Sequence, residues 1–422
     1  MTAAGNAQAL AGIRVLDLSR VLAGPWATQI LGDLGAEVIK IERPGIGDDT
    51  RSWGPPWHGG SDEERGTSGY FLACNRNKRS VAVDFAQPQG AALIRKMAAE
   101  ADVLVENFKV GTLARYGLDY DSLRAVNPRL VYCSVTGFGQ SGPYAERGGY
   151  DFLIQAMSGL MSVTGPLGGE PTKVGVPVID LFTGLYAVIG IQAALQARAR
   201  TGRGQHVDCA LLDTAVAILA NQGMNYLVGG AIPVPLGNGH PNVVPYRPFQ
   251  AADGHVIVTA GNDRQFRSFC AVLGRQDLAD APEYATNALR VANREALEAA
   301  LAGEVARRHS DELLAAMDLA GVPGGPINTL DKVFADAQVA ARGMVREFCP
   351  DDGSDDGPAD GPADAPILRL TRFPALLSET PATIRDLPAP RIGAHTRQVL
   401  TSMGLGTDEI AALAQAGVLA GD

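Results

Sequence analysis

Asp180 closes the run GVPVID and stands just before a long apolar stretch, LFTGLYAVIGIQAAL, so the spacing predicts a carboxylate at a strand-to-helix junction. An aspartate there has two uses. It can cap the helix by accepting from a free backbone N–H, or its anion, favoured at the positive end of the helix, can act on a substrate. A second set of chemically useful residues is cationic and falls after β-rich runs: Lys40 and Arg43, then Arg76, Lys78 and Arg79, then Lys109 and Arg115. In a parallel α/β sheet the crevice beyond the strand carboxyl ends is the usual ligand site, and Arg there suits phosphate recognition. The other reading of these residues is plain solvation at the surface.

Several familiar chemistries lack their residues. None of the six Lys precedes Ser or Thr, so there is no Walker-type phosphate loop and no sign of ATP chemistry, and no His precedes Glu, so there is no HExxH metal helix. A GxSxG nucleophile elbow is also missing. After the first β-rich run the chain reads LSRVLAGP where an NAD binder needs GxGxxG, which disfavours nicotinamide chemistry. The six His are scattered, and His240 in GNGHPN is the one to watch. Five Cys lie far apart with no CxxC, which argues against a disulfide framework or a structural zinc and fits a reducing, cytoplasmic setting.

The elements that must position these residues alternate. IRVLDLS, a helix over about 25–34, AEVIKIER, KRSVAVD, a helix over about 88–101, DVLVENF, a helix around 120–126 and RLVYCSVTG follow one another. Nearly all-apolar strands separated by helices indicate buried parallel strands, a Rossmann-like α/β layout. Residues 181–199 and 207–219 read as two long, mostly buried helices joined by ArgThrGlyArgGly. Beyond about 225 a Gly/Pro-rich linker leads to a smaller α+β unit, with strand GHVIVTAG, helices near 263–273, 293–309 and 311–320, and Ser310 as a helix start. The tail holds ILRLTRF and short helices around 394–403 and 407–416; it is too small for its own core and packs back on the first domain. The expected division is 1–225, an inserted 226–329, and 330–422 returning to the large domain.

Length and charge bound the rest. At about 150 residues per domain, 422 residues make two or three domains, and a net charge of −10 argues against nucleic acid or an anionic membrane as partner. Six Asp lie in the stretch 351–366, DDGSDDGPADGPADAP, which reads as a solvated acidic loop and leaves the rest about four charges negative. The N-terminal MTAAGNAQALAG lacks a secretory pattern, and the apolar runs near 182–197 and 207–222 fall short of the roughly 20 residues of a membrane span.

RVLDLSRVLAGPWATQILGDLGAEVIKIERP, NRNKRSVAVD, ADVLVENF, GVPVIDLFTG, TGRGQHVD and GAHTRQVL, in that order from residue 14 to 400, resemble the class III CoA-transferase family, the carnitine and bile-acid group. The resemblance implies a Rossmann-like large domain built from both chain ends, a small inserted domain, and two subunits interlocked like links of a chain as a homodimer. It implies that Asp180 is the nucleophile, attacking an acyl-CoA thioester to give an aspartyl anhydride and then an aspartyl-CoA thioester, with a carboxylic acid as acceptor and no metal or nucleoside triphosphate. CoA contacts carry over to Leu22, Ala23, Arg43, Asn107, Phe108, Lys109 and Arg115; surface ion pairing is the other reading of Arg43 and Arg115. Leu22 replaces the Gln of the formyl-CoA:oxalate branch, and that branch's run of glycines is missing, which speaks against oxalate. Oxyanion donors would come from glycine-rich segments, Gly237–Gly239 or Gly261. An α-methylacyl-CoA racemase is the rival on the same scaffold, but Tyr150 stands where that branch has His and carries no ring nitrogen to shuttle a proton; core packing is its alternative role. A non-catalytic CoA-binding protein is the third reading, against which an intact Asp180 weighs. GNGHPNVVPYRPF and GNDRQF are similar to the succinyl-CoA:glutarate type, implying a dicarboxylate acceptor with succinyl-CoA as donor. Arg247 and Arg264, inside those phrases, are candidates to pair with a second carboxylate, or are ordinary surface residues.

Overall fold

The computed structural model describes residues 8–60, 65–348, 366–389 and 391–421. All of the predicted acidic loop but Pro366 lies outside the described residues, as do Cys349 and the first seven positions. The chain divides into two units, Met1–Ser158 with Gly175–Ile218 and Ala337–Asp422, and Gly159–Val174 with Leu219–Asp336.

The first unit begins β1 (Arg14–Asp17), α1 (Ala23–Asp33), β2 (Glu37–Glu42), a hairpin β3 (Trp57–Gly60) and β4 (Arg65–Ser68), α2 (Gly69–Cys74), β5 (Lys78–Val83), α3 (Pro88–Glu100) and β6 (Val103–Glu106). It continues α4 (Tyr120–Val126), β7 (Val131–Thr136), α5 (Asp151–Met157), α6 (Val178–Thr201), β8 (His206–Ala210) and α7 (Leu211–Ala217). Every residue of β6 and β7 is buried, as expected where helices cover both faces of a parallel sheet. Pro88 opens α3 at a position where its missing N–H costs nothing, and α6 ends at Gly202, whose φ of 72° is the left-handed turn that glycine enters freely.

Three expectations are corrected here. The segment from 207 is not a helix at its start: His206–Ala210 is a strand, paired in parallel with Tyr132–Thr136. HVDCA is too short to show a period, and only its partner β7 decides its conformation. Nor is there a strand before Asp180. Residues 171–177 are irregular, Pro177 occupies the N-cap of α6, and Asp180 lies in the first helical turn. Prolines at 171 and 177 remove ladder donors from that run. α6 itself is long and apolar enough to span a membrane by composition, with a mean hydropathy of 1.8, contrary to the shorter apolar run expected. It is nonetheless built into this unit: Ile179, Ala187, Ile191 and Ala194 are buried, and Arg198 pairs with Asp102 at 2.8 Å.

The second unit holds α8 (Ala220–Gly229), β9 (Tyr246–Gln250), β10 (His255–Thr259), α9 (Asp263–Leu273), α10 (Gln276–Asp280), α11 (Asn287–Ala292), α12 (Arg294–Val305), α13 (Ser310–Leu319), β11 (Gly324–Pro326) and α14 (Leu330–Ala335). Its three strands form an antiparallel sheet with β10 central. α9 buries Phe266, Phe269, Cys270 and Leu273, a helical stripe, against Val256, Val258, Leu297 and Leu301. Ser310 opens α13, its N–H held by Asp253 Oδ1 at 2.8 Å.

The chain then returns to the first unit as α15 (Ala337–Ala341), a hairpin β12 (Val345–Phe348) and β13 (Leu368–Thr371), α16 (Thr396–Ser402), α17 (Thr407–Gln415) and β14 (Leu419–Ala420). β14 joins the main sheet antiparallel beside β5, giving the order β14-β5-β2-β1-β6-β7-β8. The sheet is therefore mixed, with every other pairing parallel. Both chain ends share one core, where Leu16, Ile41, Val81, Ile94 and Leu104 meet Val399, Leu400, Ile410 and Leu419.

Candidate active site

Strand order reverses at β1: the chain proceeds from β1 outward through β2 to β5, then restarts at β6 on the other side and runs through β7 to β8. Such a switch point opens a crevice beyond the carboxyl ends of the strands. A cavity of about 200 Å³ lies there, lined by Arg20–Ala23 after β1, Asn107–Lys109 after β6, Gly137 after β7, Leu211 after β8, the stretch Arg147–Tyr150, and Asp180.

Asp180 is not the cap of α6. That work falls to Asp151, whose Oδ1 accepts from the N–H groups of Ile179 (2.7 Å) and Asp180 (3.2 Å), while Gln155 donates to its other oxygen at 2.5 Å. Among the described residues no hydrogen bond reaches the Asp180 carboxylate. Burial first, and the adjacent Asp151 carboxylate second, push its pKa up to about 7. A desolvated carboxylate with no donor to stabilise it is a stronger nucleophile than a solvated one. Tyr70 on α2 feels the same field: its hydroxyl is pushed up to about 12 by burial and then by Asp180.

The loops after β1 and β6 brace each other. Asn107 Oδ1 accepts from Arg20 N (2.9 Å) and its amide donates to Arg20 O (2.6 Å), so this side chain is committed to the loop. The Arg20 guanidinium lies 5.1 Å from the Phe108 ring centroid and pairs with Asp49 at 3.2 Å. Beneath them Glu106, buried, is pushed up to about 7 by desolvation although Phe108 N–H donates to it at 2.8 Å. Lys109 and Arg147 line the cavity with no ion pair among the described residues; Arg147 rests 4.6 Å from the Tyr144 ring centroid. Two such cations suit an anionic ligand.

Leu22, Ala23, Asn107, Phe108, Lys109, Tyr150 and Asp180 thus come together around one cavity. Tyr150 is 70% exposed, which removes core packing as its role. Arg43 and Arg115 do not line the cavity; both are exposed, at the end of β2 and in a single turn at 113–116, without an ion pair among the described residues. Arg247 and Arg264 belong to the second unit, where Arg247 is held by Glu298 at 2.5 Å and Arg264 sits in the first turn of α9. The glycines expected as oxyanion donors have other partners: Gly237 N–H donates to Gly165 O, Gly239 N–H to Leu236 O, and Gly261 N–H to Gln265 Oε1. His240 accepts from Asn242 N–H and packs on Tyr246. Among the described residues no group of three His, Cys, Asp or Glu could hold a metal ion.

Asp151, Tyr70, Arg20 and Arg147 went unmarked in the sequence. Asp151 had one signal, an acid following GGY with Gln at the fourth position on, but its partner lies 28 residues away in α6.

A doubly wound sheet with an uncommitted carboxylate and free cations at its switch point defines an α/β enzyme for an anionic substrate. Residues 10–396 match CoA-transferase family III, and the chain belongs to that family. A succinate–glutarate CoA-transferase of Agrobacterium fabrum is 48% identical over 394 residues, 93% of this chain and 95% of its own length. The human succinyl-CoA:glutarate CoA-transferase is 43% identical over 395 residues, 94% of this chain and 86% of that one. The crystal structure of a CaiB/BaiF family protein from Brucella suis, 48% identical, covers 94% of this chain and 99% of its own with a TM-score of 0.79.

Proposed function

We propose that this enzyme transfers CoA from succinyl-CoA to a second dicarboxylic acid through covalent intermediates on Asp180. The observation that carries the reading is the state of that carboxylate: half-buried in the crevice, free of capping duty and raised to about 7. Asp180 Oδ attacks the thioester carbonyl, the C–S bond breaks, and a mixed anhydride and CoA thiolate result. The thiolate then attacks the aspartyl carbonyl, the anhydride C–O bond breaks, and the donor acid leaves an aspartyl-CoA thioester. An acceptor carboxylate reverses both steps and carries the CoA away. The thioester is conserved, so the exchange consumes no ATP, NAD or metal. Lys109 and Arg147 are suited to the CoA phosphates, and Arg43 and Arg115 would extend that track. Tyr150 at the cavity would act on the acid. The dicarboxylate assignment is supported by the relatives that use glutarate.

The decisive experiment is incubation with succinyl-CoA, borohydride trapping and peptide mass analysis. Reduction at Asp180 is expected, and Asp180→Asn should lower exchange by roughly 10³-fold or more. Robust exchange with an unmodified Asp180 peptide would sink the mechanism, and uptake of α-deuterium from heavy water without an acceptor acid would point to racemisation instead.

A homodimer belongs to the same reading. α6 carries Phe182, Leu185, Tyr186 and Ile189 exposed at helical spacing, an apolar stripe of the kind another chain covers. Light scattering should give twice the chain's mass, and Ile189→Lys should shift the protein toward monomer.

A further inference from the structure

Val21 sits at φ 71°, in the left-handed region, where a β-branched residue is an outlier. Two buried ions grip the backbone around it. Lys40 Nζ donates to Ser19 O at 2.9 Å, and Asp48 Oδ1 accepts from Val21 N–H at 3.3 Å. The ions meet each other at 2.8 Å, with side chains 1% and 0% exposed. Burial works against both charges, yet Lys40 holds Asp48 down to about 2 with help from Thr50, and Asp48 and Asp17 hold Lys40 above its usual value.

A second buried pair completes the support. Lys78 Nζ lies 3.0 Å from Asp17 Oδ2 and donates to Pro25 O at 2.8 Å, while Asp17 accepts from Ser19 N–H at 2.9 Å and Thr28 Oγ1 at 2.6 Å. Two lysines and two aspartates therefore form a neutral cluster around the turn that starts α1. The covalent chemistry of Asp180 uses none of them. What they hold is Val21, Leu22 and Ala23, which line the same cavity as Asp180. The N-cap Leu22 offers α1 no side-chain acceptor, and among the described residues no side-chain hydrogen bond reaches the N–H groups of Ala23 or Gly24. α6 presses on this turn: a Cβ built on Gly184, one turn past Asp180, would lie 2.8 Å from Ala23 O.

We propose that Lys40 and Asp48 are positioning residues, a buried clamp that holds Val21 left-handed and thereby sets Leu22 and Ala23 against the reacting end of the CoA thioester. The inference rests on the transferase reading for its kinetic consequence but not for the clamp itself. Released, the β-branched residue would relax toward an extended or helical φ and carry Leu22 and Ala23 out of register with Asp180.

The test is a rescue. Asp48→Ala should lower kcat for CoA exchange by roughly 10–100-fold, with KM changed less than about 3-fold, since a displacement of about 1 Å can cost 10²-fold. Hydrogen–deuterium exchange in a peptide spanning 18–26 should speed up. Adding Val21→Gly should restore at least part of the lost kcat, because glycine holds a positive φ without a clamp; a purely structural role would not be rescued this way. Should Asp48→Ala fail to fold, Lys40→Met with Asp48→Asn removes both charges together and enters the same cycle. Wild-type kcat and unchanged exchange in a folded clamp variant, or no rescue by Val21→Gly, overturns the proposal. If the wild-type enzyme shows no CoA exchange, the transferase reading fails while the deuterium result still decides the clamp.

Discussion

At Asp180 the carboxylate is raised because water is excluded and Asp151 sits beside it. The consequence for rate follows from which form reacts. Only the anion attacks, so kcat/KM should rise with pH to a plateau, with its acid limb near 7. Asp151→Asn keeps an acceptor for the α6 N–H groups but removes the negative neighbour, and should move that limb to lower pH; a limb that stays in place would remove Asp151 from the electrostatics. Stability carries the opposite sign. The folded pKa stands above the ordinary 3.8, so stability tied to this proton is full below about pH 3.8 and is lost as pH rises through 7. Asp180→Asn should therefore raise Tm over wild type by roughly 1–3 °C at pH 8, and by less at pH 5, read by calorimetry. Asp180 stood out in the sequence as an acid before an apolar helix, but its freedom from capping did not, because the residue that caps α6 in its place is 29 positions earlier.

At the scale of elements, the strands with long apolar runs were legible and the short or partner-dependent ones were not. β1, β2, β5, β6 and β7 lie within the runs expected of them, and the helices at 120–126 and 263–273 match their patterns. The segment of β8 reads as helix in the sequence because five residues carry no periodicity, and the β3–β4 hairpin leaves no pattern at all. The walls of the cavity depend on a contact equally invisible in one dimension. Gly137, after β7, lies so close to the stretch before α5 that an added Cβ would sit 2.6 Å from Gly149 Cα. Backbone cannot yield as a flexible side chain can, so Gly137→Ala should cost about 1–3 kcal/mol of stability and reduce exchange activity. Denaturant unfolding and the exchange assay check it, and an unaffected variant would show that the two segments are free to part.

For the whole molecule, the first unit is closed by its last residues. Leu419 and Ala420 pair with Val83 and Ala82, and Val399, Leu400 and Ile410 are buried in the core founded by the N-terminal strands. A chain ending at residue 391 should therefore fail to give a cooperative unfolding transition in calorimetry, whereas a tail that merely decorated the surface could be lost quietly. The second unit turns on Arg290, wholly buried, which donates to Val244 O and Tyr284 O and pairs with Asp263 at 2.7 Å. Arg290→Ala should destabilise that unit by about 3–5 kcal/mol, visible as protease sensitivity within 219–336. By itself the sequence determined the alternation of buried strands and helices and the acid at 180, because apolar periodicity and residue type are local properties; of the cations expected after strands, Lys40, Lys78 and Arg79 lie within β2 and β5 and Arg76 before β5, all four held in ion pairs. Only the tertiary structure decided that Asp151 caps α6, that Asn107 is committed to Arg20, and that Lys40 and Asp48 hold Val21. Each of those depends on hydrogen bonds between segments distant in the chain, and the packing that brings them together is a property of the fold as a whole.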